Sequence, residues 1–335
     1  MPSVVDQIAK ELGVSNATVS RALNDRPGVG PALRDKIVAY AREIQYAPTV
    51  TARGLATSQT FNLGFFIHEK PGLPLYSDPF YLEILSSTQQ VIARSDYHVT
   101  FESLPDEVLA RPADFRFVRE RRADAMILAG PDIPASFIIH MLHTGMPIVL
   151  VDNHLEFLPA NCVNSDDEGG AYRAARFLFE AGHRQIGVIA GPPSWASTAR
   201  RVRGYRRAAD ELGIALTEIH AEETTIESGQ SAFAQLVERQ PLLTALCAVN
   251  DSMAIGAIRA ARARGMRVPD DLSVIGFDDI AWAAHNDPPL TTVRIPRQQM
   301  GKEVAHRALT LLGDPDLLPS EIIVPVELIK RGSTA

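Results

Sequence analysis

Two sets of polar residues in this chain have the types and spacing to recognise other molecules. The first lies within VVDQIAKELGVSNATVSRALN, residues 4–24. There Ser15, Asn16, Ala17, Ser20, Arg21 and Asn24 fall on one side of a short helical stretch, with Val19 and Leu23 on the other. An amide, a guanidinium and hydroxyls on one helix face can read hydrogen-bonding edges. The second set follows apolar runs: Asp152 and Asn153 after PIVLV, Asn250 and Asp251 after TALCAV, Asp278 and Asp279 after LSVIGF. Carboxylates and amides there can accept from and donate to the hydroxyls of a polyhydroxylated ligand. Each is equally suited to capping the helix or turn that follows.

The first set requires two helices to present it. Val5, Ile8, Ala9 and Leu12 recur at i, i+3, i+4 and i+7, which lays one apolar stripe along a first helix. Gly13 permits the turn through positive φ, and Ser15 is a good N-cap for the second helix. The pattern predicts a helix-turn-helix whose second helix lies in a DNA major groove, its N-terminal residues nearest the base edges. An ordinary helical hairpin with a solvated face fits the same local pattern. Pro31, at the first position of a third predicted helix, loses no needed N–H, and Leu33, Ile37, Ala41 and Ile44 close a three-helix core. Pro48 ends the unit. In residues 49–57, TVTARGLAT, Thr49 can cap a helix too short to be stable alone, further weakened by Gly54 and β-branched Val50 and Thr51. The stretch reads either as a plain linker or as a switch ordered only on DNA, with Leu55 as a minor-groove wedge.

The second set requires parallel sheets. From Phe61 onward, strand-length apolar runs (61–67, 124–130, 147–153, 185–191, 244–251 and 272–279) alternate with amphipathic helical patterns. That alternation predicts two doubly wound α/β lobes, whose ligands bind outside the carboxyl ends of the strands. The predicted organisation is a headpiece at 1–47, a hinge at 48–60 and a core at 61–335. The core's first lobe spans about 61–160 and 292–322, and its second about 161–291 and 323–335.

Composition bounds the function. Among 335 residues, 1–60 carry seven Lys and Arg against five Asp and Glu, and the rest carry 26 against 35. A headpiece this close to neutral binds DNA modestly alone, and dimerisation would repair that. Cys162 and Cys247 sit in apolar runs and read as buried reduced thiols; neither a disulfide framework nor a metal site is expected. There is no signal-like N-terminus and no membrane-spanning run, so a cytoplasmic, nucleoid-associated protein is expected. No GxxxxGK[ST] loop and no Ser/His/Asp arrangement points to an enzyme, no cofactor is expected, and His68 and His183 are expected to serve structure.

VSNATVSRALN, then YAPTVTARGLA, then DPFY (78–81), AGHRQIGVIAGP (181–192), VNDSMAIGAIRA (249–260), VIGFDD (274–279) and PPLTTV (288–293) occur in an order and spacing that resembles the LacI/GalR family of bacterial transcription regulators. The resemblance covers nearly the whole chain. It implies that Asn16, Ala17 and Arg21 read bases, Asn16 suiting adenine and Arg21 guanine. Thr18 and Asn24 would hold phosphates, with Ser15 and Ser20 beside them on the DNA-facing side. Ala52 and Leu55 take the hinge positions. In the effector cleft the resemblance implies Phe80, Asp152, Arg201, Asn250 and Asp278. Trp282 fits either a stacking face for a sugar ring or packing under a loop. Arg201 reads as an effector contact or as a surface arginine beside Arg200 and Arg203. The chain departs from the family pattern at Thr49, where asparagine is usual, and at Gly30, where serine is usual. No heptad-bearing extension follows residue 331, which argues against a coiled-coil tetramer. The expected whole is a homodimeric repressor on a pseudo-palindromic operator, controlled by a small effector, a sugar before a purine or nucleoside. A solute-binding protein without DNA function is the rival reading.

Overall fold

The computed structural model describes residues 3–46, 54, 57, 59–69 and 79–335. The chain divides into two compact units, residues 1–62 with 117–124, and residues 63–116 with 125–335. The hinge residues Ala52 and Leu55 lie outside the described residues, as do Pro48 and Thr49.

In the first unit the helices are α1 (Val4–Leu12), α2 (Asn16–Leu23) and α3 (Pro31–Glu43). Ser3 caps α1 and Asp6 reaches back to the cap, a reciprocal capping box that satisfies two otherwise unpaired donors. Gly13 ends α1 at φ 65°, and Ser15 caps α2 by accepting from the Thr18 N–H. Gly30 precedes Pro31 with no side-chain cap. Ile8, Val19 and Ile37, one from each helix, are fully buried together with Ala9, Ala22 and Ala41. The predicted helix-turn-helix and its third helix are therefore present. Leu23 is half-buried at the edge of that core.

The second unit holds two six-stranded sheets. The first runs β11-β5-β4-β3-β1-β2: β1 (Asn62–His68), β2 (His98–Leu104), β3 (Ala125–Ala129), β4 (Ile148–Val151), β5 (Asn161–Ser165) and β11 (Glu321–Val324). The second runs β12-β10-β9-β8-β6-β7: β6 (Ile186–Ala190), β7 (Thr217–His220), β8 (Ala245–Ala248), β9 (Ser273–Asp278), β10 (Thr291–Arg294) and β12 (Glu327–Ile329). Pairing is parallel from β1 through β3, β4 and β5 to β11, and among β6–β10, whereas β12 pairs with β10 antiparallel. Central strands β3, β4, β6 and β8 are buried at every position, because helices cover both faces.

The lobe boundaries differ from the predicted ones. Residues 161–165 pair with β4 and β11 in the first sheet, so the first crossing comes at Asp166 and not at 160. Residues 291–294 pair with β9 in the second sheet, so the first lobe does not regain the chain at 292. The apolar run at 321–329 forms two strands in different sheets, broken around Pro325, which has no N–H for a ladder. β2, β5 and β7 carry no strong apolar run, which is why patterning passed over them.

Candidate effector cleft and DNA-reading face

Strands end in polar residues in both lobes, and three of the residues at β-strand ends adopt positive φ: Asp152 at 54°, Asp278 at 107° and Asp279 at 54°. Short polar side chains tolerate this region better than bulky ones, and such backbone geometry gathers at functional sites. Around them a chain of charged groups is tied together. Arg201 is 6% exposed despite its guanidinium. Its Nε donates to Asp167 Oδ1 at 2.8 Å, and its Nη1 donates to Asp278 Oδ1 at 3.0 Å and to the Val249 carbonyl at 2.5 Å. The guanidinium carbon lies 3.9 Å from the Phe277 ring centroid, a cation–π contact. Burial alone would lower the Arg201 pKa; the carboxylates of Asp167, Asp278 and Asp152 outweigh it and raise it.

The close approach has a backbone cause. Arg201 lies on the helix Ala196–Glu211, which packs on the helix Asp167–Glu180 at Gly204. A Cβ at Gly204 would collide with the Glu168 carbonyl oxygen. Without that small residue the two helices could not bring Arg201 onto Asp167.

On the facing lobe, Tyr81 donates its hydroxyl to Asp152 Oδ2 at 2.8 Å. Asp152 has its pKa pushed up to about 7, by burial first and then by the negative charge of Asp167. Phe80 is buried and meets Tyr81 edge-on at 5.0 Å between centroids. Arg297 joins the lobes: its Nε donates to Glu83 at 2.7 Å, its Nη1 to the Asp278 carbonyl and its Nη2 to the Asp279 carbonyl at 3.1 Å. His68 sits between Asp132 (3.2 Å) and Asp106 (2.9 Å), and the hydrogen bond with Asp132 raises its pKa.

Of the six expected cleft residues, Asp152, Arg201 and Asp278 come together. Arg201 is not the surface arginine that its neighbours Arg200 and Arg203 suggested. Asn250 spends its amide on local structure, accepting from Met253 N–H at 2.9 Å and donating to the Thr224 carbonyl at 3.0 Å. Trp282 is 60% exposed on the short helix Ala281–His285 and is not packed under a loop. Sequence reading missed Asp167, Tyr81 and Arg297. Asp167 hides in the run SDDEGG, where its neighbour Asp166 takes the capping role and leaves it free to point inward. Tyr81 is legible only as the residue after Phe80.

Asp251 is fully buried, accepting from Thr292 Oγ1 and from the Ile280 N–H, and burial drives its pKa well above the usual carboxylate range. It fixes the loop after β9, and a Cβ at Gly276 would collide with its carboxylate. Both cysteines are buried and unpaired, with burial raising each pKa to about 12. His183 bridges Thr244 and Ser273 at 3.0 and 3.1 Å, a structural tie. Among the described residues no group of His, Cys, Asp and Glu is placed to hold a metal, and no helix is long and apolar enough to cross a membrane.

On the headpiece, Asn16, Ala17, Ser20 and Arg21 are exposed on α2, as is its cap Ser15, and Thr18 is half-buried. The Ser15 hydroxyl is shared with the Thr18 N–H and hydroxyl. Asn16 Nδ2 donates to Asp6 Oδ1 at 2.5 Å. Asn24 is turned back on its own helix, donating to the Ser20 carbonyl at 2.8 Å.

Comparison with known proteins agrees with both parts. The profile of bacterial regulatory proteins of the lacI family matches residues 4–49, and that of the periplasmic binding protein-like domain matches residues 175–334. The chain is 31% identical to the probable HTH-type transcriptional repressor ExuR of Bacillus subtilis, over 98% of this chain and 97% of that one. It is 30% identical to the HTH-type transcriptional repressor CytR of Escherichia coli, over 99% and 96%. Among solved structures, the lac repressor dimer bound to operator and the anti-inducer ONPF superposes with a TM-score of 0.81 at 25% identity, covering 100% of this chain and 99% of that chain. The complex of transcriptional regulator CelR with cellobiose gives 0.75 at 27%, covering 99% and 100%. With relatives at this identity spanning almost its full length, a helix-turn-helix headpiece and two parallel-sheet lobes, this chain belongs to the LacI family of bacterial transcriptional regulators.

Proposed function

We propose that this LacI-family chain is a repressor that binds a pseudo-palindromic operator as a homodimer and is controlled by a sugar bound between its two lobes. The observation that carries the effector reading is the buried Arg201, held by Asp167 and Asp278 beside Asp152. Carboxylates that accept from hydroxyls, next to a guanidinium that donates to them, suit a ligand rich in hydroxyl groups. The cellobiose bound in the CelR complex supports the same class. Asp152, Arg201 and Asp278 contact the sugar, Phe80 supports its aromatic wall through Tyr81, Asn250 shapes the rim and the exposed Trp282 offers a stacking face. The protein acts by binding and turns nothing over.

On the DNA side, Asn16, Ala17 and Arg21 read base edges, while Ser15, Thr18, Ser20 and Asn24 set the helix against the backbone. Ala52 and Leu55 enter the minor groove as a hinge pair from two protomers. Effector closure of the lobes changes whether those hinges can pair. Linkage then requires effector and operator to alter each other's affinity by one common factor.

Thermal shift against mono- and oligosaccharides, nucleosides and purines tests the effector class. A sugar at about 100 times its Kd should stabilise by about 2.7 kcal/mol. A rise with a nucleoside or purine and with no sugar would replace the sugar reading. The Leu55→Ala variant tests the hinge: operator affinity and effector response should both fall, and retention of both discards the hinge role.

A further inference from the structure

Asp6 divides its carboxylate between two tasks. Oδ2 accepts from the Ser3 N–H at 2.7 Å and the Ser3 hydroxyl at 2.9 Å, which closes the cap of α1. Oδ1 is not needed for that cap. It takes the Asn16 amide at 2.5 Å instead, linking the start of α1 to the first residue of α2. Asn16 is exposed, and among the described residues no other hydrogen bond to its side chain is seen.

We infer that Asp6 is a specificity-positioning residue for the DNA contact: it fixes the orientation of the Asn16 amide so that one N–H and Oδ1 remain paired outward. The inference rests on the reading of Asn16 as a base reader. A carboxylate can only accept, so the amide must turn its nitrogen toward Asp6. When Asp6 takes the N–H trans to the amide oxygen, the other N–H stays beside Asn16 Oδ1. That remaining donor–acceptor pair matches the N7 acceptor and N6 donor of adenine in the major groove. Without Asp6 the amide has two flips and free rotation, and only some of these states present the matching edge. Bonds from Ser3 and Asn16 lower the Asp6 pKa, so the carboxylate is ionised at neutral pH and remains an acceptor. A negative charge beside the DNA-reading helix weakens attraction to phosphate, so Asp6 gives up general affinity for selectivity.

The test uses the full-length chain and duplexes that it recovers from a randomised pool, each re-measured with single base pairs replaced, alongside an unrelated duplex. Asp6→Gln is the working variant, because glutamine at this position still completes a capping box. Circular dichroism and the melting temperature verify that α1 persists. Asp6→Gln should cut discrimination at one base pair in each half-site by about tenfold, the worth of a bidentate base contact. Affinity for the unrelated duplex should hold or rise. In an Asn16→Ala background the same change should have no further effect on that base pair. Unchanged discrimination in Asp6→Gln, or an equal loss on every duplex, overturns the proposal. If Asn16→Ala leaves every base preference intact, the base-reading role of Asn16 fails, and the proposal with it. A null result for Asp6→Gln beside a clear effect of Asn16→Ala defeats the proposal alone.

Discussion

Asn16 and Arg21 stand in solvent five residues apart on a single helix, whereas buried Arg201 and Asp167 and half-buried Asp278 come together from three separate elements. The first surface is shaped by local helix geometry, its Ser15, Asn16 and Asn24 side chains each tied to a neighbour within the headpiece. The second satisfies its charges internally and, under the proposed function, exchanges some of those bonds for a ligand. The difference shows where stability and recognition are separable. On the headpiece they lie on opposite faces of α2, with Val19 buried and Ala17 and Arg21 outside. In the cleft the same side chains serve both.

If that contrast is right, Arg201→Ala should have the largest effect. It leaves Asp167 and Asp278 without their cation, which costs about 3–5 kcal/mol when a buried pair loses one partner. Calorimetry should show the core transition fall steeply at neutral pH. A loss confined to effector binding, with stability intact, would erase the distinction between the two surfaces.

Ile37→Ala sharpens the comparison from the other side. Ile37 is fully buried in the headpiece core, and truncating such a side chain costs about 2–5 kcal/mol. A three-helix unit of this size has little to spare, so DNA binding should vanish while the core transition and effector-induced stabilisation remain. Loss of both would mean that the two units fold as one.

Ser15→Ala removes the N-cap of α2 and should cost about 1 kcal/mol of headpiece stability. Operator affinity should drop in proportion, with base preferences unchanged, as titration on single-base-pair variants would reveal.

The smallest effect concerns pH. Asp152 holds its proton up to about 7, above the ordinary 3.8, because burial and Asp167 disfavour its ionised form. The folded chain therefore binds more protons than the unfolded chain between these values. The stabilising contribution is complete below pH 4 and is lost as pH rises through 7. Effector hydroxyls donate to the ionised oxygens, so affinity should increase from pH 6 to pH 8 in calorimetric titrations. Asp152→Asn should flatten that slope.

The headpiece was legible because its information is local. Ser15, Gly13 and the Val5-Ile8-Ala9-Leu12 stripe act within one or two helical turns, and the observed α1 ends at Gly13 and α2 starts after Ser15, where those residues dictate. In the core, strands such as β3 and β8 were legible as apolar runs, since burial on both faces demands them. Asn250 was open between capping and contact, and its bonds to Met253 and Thr224 show the capping. Asp167 carried no signal of its own among its acidic neighbours.

By itself the amino-acid sequence determined the helix-turn-helix and the alternation of strands and helices, because propensity, capping and burial period act over a few residues. Only the tertiary structure decided which lobe owns 161–165 and 291–294, where 321–329 breaks, and that Arg201 is locked between Asp167 and Asp278. Those outcomes depend on pairing between distant strands and on helix packing at Gly204, interactions that no short window of residues contains.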